Sequence, residues 1–362
     1  MRPIGAIVIG AYGDRRGRKS ALVLTVGLMA GATALTGLIP SYASIGIAGP
    51  ILLILCRLVQ GFSTGGEWGG AAAFLVEYAP PGKRGLVGSW HQFAVGLALT
   101  SGLLTAALLN SMLDKETMVS WGWRLPFILG FVLAPVGLYV RSRVSESPAF
   151  ERTRQQGVAR NPFKDALTTQ RLPVLAAFGL AAVGTVGNYT FNIYMPTYAT
   201  KQLQLAAGTA FWSGTTAAIV LTILTPFFGA WSDKVGRKPL ALSAAILYGV
   251  LAWPLFSFLV GSPTGTTLVI VQSISAAVLA LFAGPLCAIL SELFPTRVRF
   301  TALSIGYGMS VTLFGGFAPF IATGLIDLLK NPMAPAFFLI FAAIVSTITL
   351  ALMKDRTNAP LD

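Results

Sequence analysis

The sequence GAYGDRRGRK at residues 10–19 recurs as GAWSDKVGRK at residues 229–238, and this pair decides the fold. Both copies have a glycine, three residues, an aspartate, a basic residue, any residue, a second glycine and two basic residues. The shared positions are Gly10, Asp14, Arg15, Gly17, Arg18 and Lys19 in the first copy and Gly229, Asp233, Lys234, Gly236, Arg237 and Lys238 in the second. Self-similarity over this distance indicates a chain built from two related units.

A second motif repeats downstream of each copy. Its members are Glu77, Pro80, Lys83 and Arg84 in the first half and Glu292, Pro295, Arg297 and Arg299 in the second. The separation between the aspartate and this glutamate is 63 residues in the first half and 59 in the second. Two motifs at nearly one spacing predict a duplicated helix bundle, which is the parallel repeat of one large transporter class.

Composition places these units in a membrane. Of the 362 residues, 54% are hydrophobic and 11% are charged, whereas soluble domains carry about 25% charged residues. The net charge of +13 comes from basic residues in short turns between apolar runs, as in cytoplasmic loops, rather than from a nucleic-acid surface. Cys56 and Cys287 lie in apolar runs and there is one histidine. We therefore expect no disulfide framework, metal site or cofactor.

Ten apolar runs have about the 20 residues that a membrane-spanning helix needs. They cover approximately residues 20–39, 49–73, 85–112, 125–140, 172–200, 205–232, 239–260, 266–290, 300–326 and 333–353. Residues 3–13 are typical of the end of a further helix, whose beginning is missing relative to the second repeat. The sequence therefore predicts an all-α multi-pass membrane protein with ten complete transmembrane helices, a partial one, and the first helix missing.

The basic residues fix the predicted orientation. Helices of alternating direction place twenty of the 26 Lys and Arg residues on one side of the membrane and four on the other. The positive-inside rule assigns the richer side, with the turns of Asp14 and Asp233, to the cytoplasm. The predicted organisation is a truncated N-terminal bundle at 1–141, a cytoplasmic linker at 142–170, a C-terminal bundle at 171–354 and a cytoplasmic tail at 355–362. The alternative for the linker is a plain solvated loop.

The repeated turns are candidates for a latch between the two bundles. Glycine suits a tight turn with positive φ, and an aspartate at a helix end can accept N–H bonds from another helix start or pair with an adjacent arginine. Such contacts can form in one arrangement of the bundles and break in another. We assign the twelve shared positions, with Glu77, Arg84, Glu292 and Arg297, to a conformational latch. The alternative is ordinary basic decoration of loops.

The same turns resemble the loop signature of the major facilitator superfamily. The segments RLVQGFSTGGEWGG at 57–70, EYAPPGKRG at 77–85, WGWRLPF at 121–127 and SELFPTRVR at 291–299 resemble its metabolite:proton symporter subfamily of citrate, dicarboxylate, shikimate and proline/betaine type. The resemblance implies twelve helices in two bundles, alternating access and proton-coupled uptake across a bacterial inner membrane. It also implies that the chain is N-terminally truncated, through a late start or a shortened gene.

Four polar residues share one face of the second complete span. Arg57, Gln60, Thr64 and Glu67 lie within about 80° of one another on a helix, and an ionisable group at membrane depth is a functional hypothesis by default. We predict that Arg57 binds a substrate carboxylate through its planar fork and that Glu67 carries a proton. The alternative is a structural role in holding neighbouring helices.

Further pathway candidates lie in two other helices. Gln92 matches a glutamine of the resembling family, whereas we expect the adjacent His91 to be a surface group, with a proton relay as the alternative. In the second bundle, the candidates are Asn188, Tyr189, Asn192 and Tyr194, which precede Pro196. A proline softens a helix, and softened helices commonly line transporter sites. Gln272 and Tyr307 are weaker candidates, and Tyr198 belongs either to this set or to an interfacial aromatic belt.

We predict a secondary transporter that couples inward proton flow to uptake of a small organic acid or zwitterionic metabolite by alternating access. The alternatives are a proline/betaine-type osmolyte symporter and a non-transporting truncated remnant. An enzyme is not expected, because the sequence offers no nucleophile and base set, and an ATP-driven pump is not expected, because the sequence has no Walker pattern. The expected partners are the lipid bilayer, a proton and a small carboxylate or zwitterion, with no nucleic acid, and the chain is expected to be a monomer.

Overall fold

A computed structural model describes residues 1–143, 145–146, 150–152, 155, 161–357, 359 and 361, without the side chains of 132, 133 and 140–142. The predicted linker at 142–170 and tail at 355–362 therefore lie partly outside the described residues. Within those residues every regular element is a helix. The long helices are α1 (Arg2–Arg16), α2 (Arg18–Leu38), α3 (Ala48–Tyr78), α4 (Arg84–Met112), α5 (Leu125–Arg143), α6 (Arg171–Lys201), α7 (Ala207–Val235), α8 (Arg237–Gly261), α9 (Gly265–Glu292), α10 (Arg299–Leu329) and α11 (Pro335–Leu352).

Ten of these helices, α2 to α11, are long and apolar enough to cross a membrane, with α5 counted from the turn at Gly122. Each coincides with one of the ten predicted apolar runs. The predicted fold class is therefore confirmed. Shorter helical segments are Tyr42–Ile45, Lys115–Ser120, Gly122–Arg124 and Pro162–Thr168.

The helices pack as two groups. In the first group, α1 to α5, helix α3 packs against α1 and α2, and α2 packs against α5. In the second group, α6 to α11, helix α8 packs against α9 and α11, and α6 packs against α10 and α11. The groups meet chiefly through α1 against α10 and through α4 against α7 and α9. These five helices therefore form most of the contact between the two groups.

Glycines permit close approaches between the groups, and two of them lie in the repeated motif. A Cβ on Gly229 of α7 would lie 2.4 Å from the Cβ of Ser89 and 2.8 Å from the carbonyl oxygen of Gly85, both on α4. A Cβ on Gly10 of α1 would lie 3.0 Å from the Cα of Thr301 on α10. A larger residue at either position would hold the helices apart, since close backbone approach requires small residues.

Two membrane helices contain a π-helical segment. Residues Tyr189–Tyr194 of α6 and Val311–Gly316 of α10 form these segments, and a Cβ on Gly315 would lie 2.6 Å from the Tyr189 ring. The sequence led us to expect a softened helix at Pro196, and the irregular segment lies directly before that proline. Insertions of this kind bend helices and often mark functional sites.

Candidate functional site

The first repeated turn joins α1 to α2 and carries Asp14. Gly17 forms the turn with φ of 110°, a conformation that L side chains rarely adopt. The Asp14 carboxylate contacts the Arg18 guanidinium at 2.8 Å. It also accepts hydrogen bonds from the backbone N–H groups of Phe300 (3.3 Å) and Thr301 (2.8 Å) and from the Thr301 hydroxyl (2.6 Å). Asp14 thus caps the start of α10, which belongs to the second helix group.

Glu77, at the end of α3, completes this contact. Its carboxylate lies 2.9 Å from the guanidinium of Arg299 and 3.5 Å from that of Arg18. Arg18 also donates to the carbonyl oxygen of Thr296 at 2.8 Å. We call Asp14, Arg18, Glu77 and Arg299 the first ion cluster, and all four side chains are at most 1% exposed.

The second repeated turn, between α7 and α8, forms the same arrangement with the roles of the two helix groups exchanged. Gly236 has φ of 99°, and Asp233 accepts from the N–H groups of Gly85 (2.8 Å) and Leu86 (2.9 Å) at the start of α4. The Arg237 guanidinium lies 3.1 Å from Asp233 and 3.0 Å from Glu292. Arg84 contacts Glu292 from the first group at 3.2 Å. We call Asp233, Arg237, Glu292 and Arg84 the second ion cluster.

The two clusters are related by the internal repeat, and each crosses between the helix groups. In both, an aspartate caps a helix of the opposite group and a glutamate binds the arginine that begins that same helix. A buried ion pair contributes little net stability, because desolvation offsets the attraction, but loss of one partner leaves an uncompensated charge that costs about 3–5 kcal/mol. The clusters therefore fix one relative arrangement of the groups rather than add broadly to stability.

The remaining predicted latch residues lie around these clusters. Gly10 and Gly229 pack between the groups, the N–H of Lys19 donates to Glu146 at 3.2 Å, and Lys238 donates to the carbonyl oxygen of Ala351 at 2.9 Å. Arg15 and Lys234 are exposed and belong to neither cluster. Arg15 and Lys234 therefore do not have the position between the groups that we predicted for latch residues.

The second motif requires one correction. Arg297, which we predicted for the latch, is 58% exposed and faces Asp165 at 3.5 Å on the surface. Arg299 takes the role in the first ion cluster, because it is the first residue of α10, as Arg84 is the first residue of α4. The comparison of both halves names Arg299 as a candidate, but only the start of α10 shows which arginine faces inward.

A cavity of about 590 Å³ lies between the helix groups, several helical turns from the clusters. Its described lining comes from α1, α3, α4, α6, α7, α9 and α10. The polar lining residues are Arg2, Thr64, Glu67, Trp68, His91, Gln92, Thr185, Asn188, Tyr189, Thr225 and Tyr307. The predicted candidates Glu67, Gln92, Asn188 and Tyr189 are thus brought together from three helices of both groups.

Aromatic rings form one wall of this cavity. The Trp68 ring stacks on Tyr307 with centroids 3.6 Å apart and planes at 19°, and the Arg2 guanidinium lies 6.0 Å from the Tyr307 ring centre. Trp68 also meets His91 edge to face, with centroids 5.2 Å apart. We call Arg2, Tyr307, Trp68 and His91 the aromatic column. Tyr307 is its one member from the second group, so the column crosses between the groups.

An amide in the opposite wall is oriented by its neighbour. The Oδ1 of Asn188 accepts from the Nδ2 of Asn192 at 3.0 Å. This bond engages the Oδ1 of Asn188, which itself lines the cavity. Asn192 is 3% exposed and does not line the cavity. Tyr194 is also buried and bonds to Thr323 at 3.1 Å. These two predicted pathway residues therefore support the wall from behind.

The polar stripe predicted on α3 divides into two parts. Thr64 and Glu67 line the cavity, whereas Arg57 and Gln60 do not. Arg57 is exposed and donates to Gln60 at 3.0 Å, and Gln60 donates to Thr33 of α2 at 3.2 Å. Arg57 and Glu67 are ten residues, or just under three helical turns, apart, which puts them at different depths about 15 Å apart. In this arrangement of the groups Arg57 does not reach the cavity, and its predicted part in substrate binding stays a prediction.

Sequence reasoning missed Arg2, Trp68 and His91 in the cavity. Arg2 lies twelve residues before Asp14 on one helix, which is about 18 Å and places it at membrane depth. An ionisable residue at membrane depth is a functional candidate, and this reasoning applies to Arg2 as it does to Arg57. His91 begins the third turn of α4, and only the packing of α4 against α3, α7 and α9 shows that it faces inward.

Comparison with known proteins agrees with this architecture. Residues 1–160 match the Sugar (and other) transporter family, and residues 177–361 match the Major Facilitator Superfamily. The Proline/betaine transporter of Escherichia coli strain K12 is 34% identical over all of this chain and 74% of its own length. The Citrate-proton symporter of Klebsiella pneumoniae is 33% identical over all of this chain and 81% of its own length. The solved proton:xylose symporter XylE superposes on 99% of this chain and 86% of its own, with a TM-score of 0.77 and 19% identity.

Proposed function

Because this chain belongs to the major facilitator superfamily and is a proton-coupled secondary transporter rather than an enzyme, we propose that the cavity between its helix groups binds a small zwitterion. The observation that carries the proposal is the charge of the cavity lining. Among the described lining residues, Arg2 is the one permanent cation and Glu67 is the one carboxylate. A solute with one carboxylate and one cationic group matches both.

Arg2 binds the carboxylate of the solute. A guanidinium presents two parallel N–H groups to a carboxylate, and the Tyr307 ring beside it supports the arginine from one side. The amide NH₂ of Asn188, oriented by Asn192, supplies a further donor from the second helix group. Closure of the groups around the solute thus joins donors from both.

The cationic end of the solute lies toward Glu67 and the aromatic wall. Aromatic rings attract alkylated ammonium groups, and Trp68, the residue after Glu67, lines the cavity together with Tyr307. In this proposal Glu67 serves as a counter-charge to the solute. That role differs from the proton carrier that the sequence alone suggested.

We further propose that the ion clusters close the cytoplasmic end. Most basic residues lie on that side of the predicted topology, as the positive-inside rule requires. With both clusters formed, the groups are held together at the cytoplasmic end, and release of the solute requires both clusters to separate. One chain supplies both groups and all described lining residues, so we expect a single chain to carry out transport.

A second candidate is an organic acid with several carboxylates. The resemblance to a protein named citrate-proton symporter favours it, and His91 becomes a second cation in the cavity when it is protonated. Glu67 opposes it, because a carboxylate in the same cavity repels an additional anionic group.

Uptake by purified full-length chain in proteoliposomes tests the proposal. Radiolabelled proline, glycine betaine and citrate are supplied separately under an inward proton gradient, with an uncoupler as control. We expect accumulation of a zwitterion that the uncoupler abolishes and that an excess of the other zwitterion inhibits. Accumulation of citrate alone would select the second candidate, and failure of all three in correctly inserted protein would reject both.

A further inference from the structure

A buried amide on α9 contacts the irregular part of α6. Gln272 is 1% exposed, and its Nε2 donates to the backbone carbonyl oxygen of Phe191 at 2.6 Å. Phe191 lies inside the π-helical segment Tyr189–Tyr194. Gln272 does not line the cavity, and it lies 20 residues before Glu292 on α9, which is about 30 Å along the helix axis. It is therefore remote from the ion clusters and does not touch the solute site.

The orientation of this amide follows from its two partners. A backbone carbonyl oxygen can only accept, so the NH₂ group of Gln272 must face Phe191. The Oε1 of the same amide accepts a hydrogen bond from the hydroxyl of Ser213 on α7, which is also buried. We call Ser213, Gln272 and the Phe191 carbonyl the amide bridge. It joins α6, α7 and α9 through one side chain.

The amide bridge meets α6 where its backbone departs from regular helix geometry. Backbone N–H groups of a π-helix bond to the fifth preceding carbonyl rather than the fourth, and helices bend where a side chain inserts into these bonds. A buried carbonyl needs a donor, and Gln272 supplies one to Phe191 from a neighbouring helix. The ring of Phe191 packs on Phe256 of α8, with centroids 5.5 Å apart. Carbonyl and ring together hold Phe191 inside the second group.

Two residues of the cavity wall belong to the same stretch of α6. Asn188 directly precedes the π-helical segment and Tyr189 begins it, and both line the cavity. Asn192, the residue after Phe191, donates to the Oδ1 of Asn188 at 3.0 Å. The Tyr189 ring lies so close to Gly315 of the second π-helical segment that a Cβ there would be 2.6 Å away. A backbone shift at Phe191 therefore displaces Asn192 and, through it, the amide of Asn188.

We propose that Gln272 is a positioning residue for the solute site. It holds the π-helical segment of α6 in the conformation that places Asn188 and Tyr189 in the cavity wall, and Ser213 keeps its amide in the required orientation. The inference rests on the proposed function, because Asn188 is one of the groups that we assign to the solute. Gln272 thus sets the affinity for the solute without touching it, whereas the ion clusters set the rate of the movement between the groups.

Amide hydrogen exchange of the solute-free chain tests the effect on α6 directly. Gln272→Leu removes both hydrogen bonds of the amide and keeps a buried side chain of similar size. Ser275→Ala is the matched control, because Ser275 is 1% exposed on the same helix and its hydroxyl lies 3.1 Å from that of Tyr248 on α8. We expect residues 188–195 to exchange about tenfold faster in Gln272→Leu and at the original rate in Ser275→Ala. Unchanged exchange of this stretch in Gln272→Leu would overturn the proposal, whatever the solute is.

Uptake of radiolabelled proline and glycine betaine in proteoliposomes tests the effect on affinity. We expect Gln272→Leu to raise KM about tenfold with a maximal rate within about threefold of the original, and Ser275→Ala to change neither by more than about twofold. Ser213→Ala leaves the Nε2 of Gln272 able to reach Phe191 and should raise KM about threefold, which keeps the test available if Gln272→Leu inserts poorly. A fall in maximal rate without a change in KM would indicate a structural role alone and overturn the proposal.

A double-mutant comparison shows whether Gln272 acts through Asn188. In an Asn188→Ala background, Gln272→Leu should raise KM by less than about threefold, because the group that it positions is gone. In an Arg2→Lys background, on another wall, the full effect of about tenfold should remain. Equal effects in both backgrounds would overturn the proposed route. Failure of the unmodified chain to take up either zwitterion would instead reject the proposed function, and the exchange of residues 188–195 would still decide whether Gln272 holds the segment.

Discussion

Asp14 and Thr301 lie 287 residues apart in the chain, yet the Asp14 carboxylate accepts both the backbone N–H (2.8 Å) and the hydroxyl (2.6 Å) of Thr301. The bonds attach the turn after α1 to the start of α10. Asp233 makes the equivalent contact with Gly85 and Leu86 at the start of α4. A pair of helix-capping aspartates thus holds two helix groups together at one end.

Asp14→Asn and Asp233→Asn should both weaken this closed arrangement. An amide cannot replace the charged hydrogen bonds, each of which contributes roughly 1.5–3 kcal/mol, and its NH₂ group cannot accept an N–H bond. We expect the maximal transport rate to fall about tenfold or more, with KM changed less than about threefold. Asp14→Asn should have the larger effect, because Asp14 is 1% exposed and accepts from three groups of α10. Equal rates for both variants and the unmodified chain would dismiss the latch.

Arg299 and Arg297 provide a matched pair for the ion cluster. Arg299→Ala leaves Glu77 buried with one arginine instead of two, whereas Arg297→Ala removes a surface contact 3.5 Å from Asp165. Loss of a buried partner costs about 3–5 kcal/mol and loss of a surface pair at most about 1 kcal/mol. We expect a clear fall in melting temperature and transport rate for Arg299→Ala alone. Similar behaviour of the two variants would contradict the assignment.

Gly229→Val should prevent the close approach of α7 to α4. A Cβ at this position already falls 2.4 Å from the Ser89 Cβ, so a branched side chain would hold the helices apart. We expect at least a tenfold loss of transport rate, measured by uptake in proteoliposomes. Gly208→Ala, at a position with open space around it, serves as the control and should leave uptake unchanged.

Arg2→Lys and Arg57→Lys test which arginine binds the carboxylate. Lysine keeps the charge but loses the planar fork. We expect Arg2→Lys to raise KM about tenfold or more, and Arg57→Lys to have a smaller effect, because Arg57 does not line the cavity in this arrangement. A larger effect at Arg57 would show that the sequence-based prediction identified the binding arginine and that the cavity geometry did not.

Hydropathy and the repeated motifs predict the membrane helices and the two turns, because both depend on residues that are close in sequence. Asp14 and Arg18 are four residues apart, and that spacing alone brings them together on one face of the turn. The choice of Arg299 over Arg297 depends on where α10 begins, which the sequence does not determine within two residues. The column of Arg2, Tyr307, Trp68 and His91 joins four helices, and no local pattern reports such a contact.

Alternating access requires the two helix groups to move relative to each other at the end that carries the ion clusters. Spin labels at Arg15→Cys and Arg297→Cys, two exposed positions on opposite groups, report the distance between the groups. The distance is measured in lipid by double electron–electron resonance, after Cys56 and Cys287 have been replaced by serine. Labels at Arg15→Cys and Lys83→Cys, within one group, serve as the control. We predict two populations, one with a short and one with a long distance between the groups. The fraction with the long distance should increase when Asp14→Asn is added, and the control pair should show one constant distance. A single inter-group distance that neither solute, pH nor Asp14→Asn alters would contradict the account.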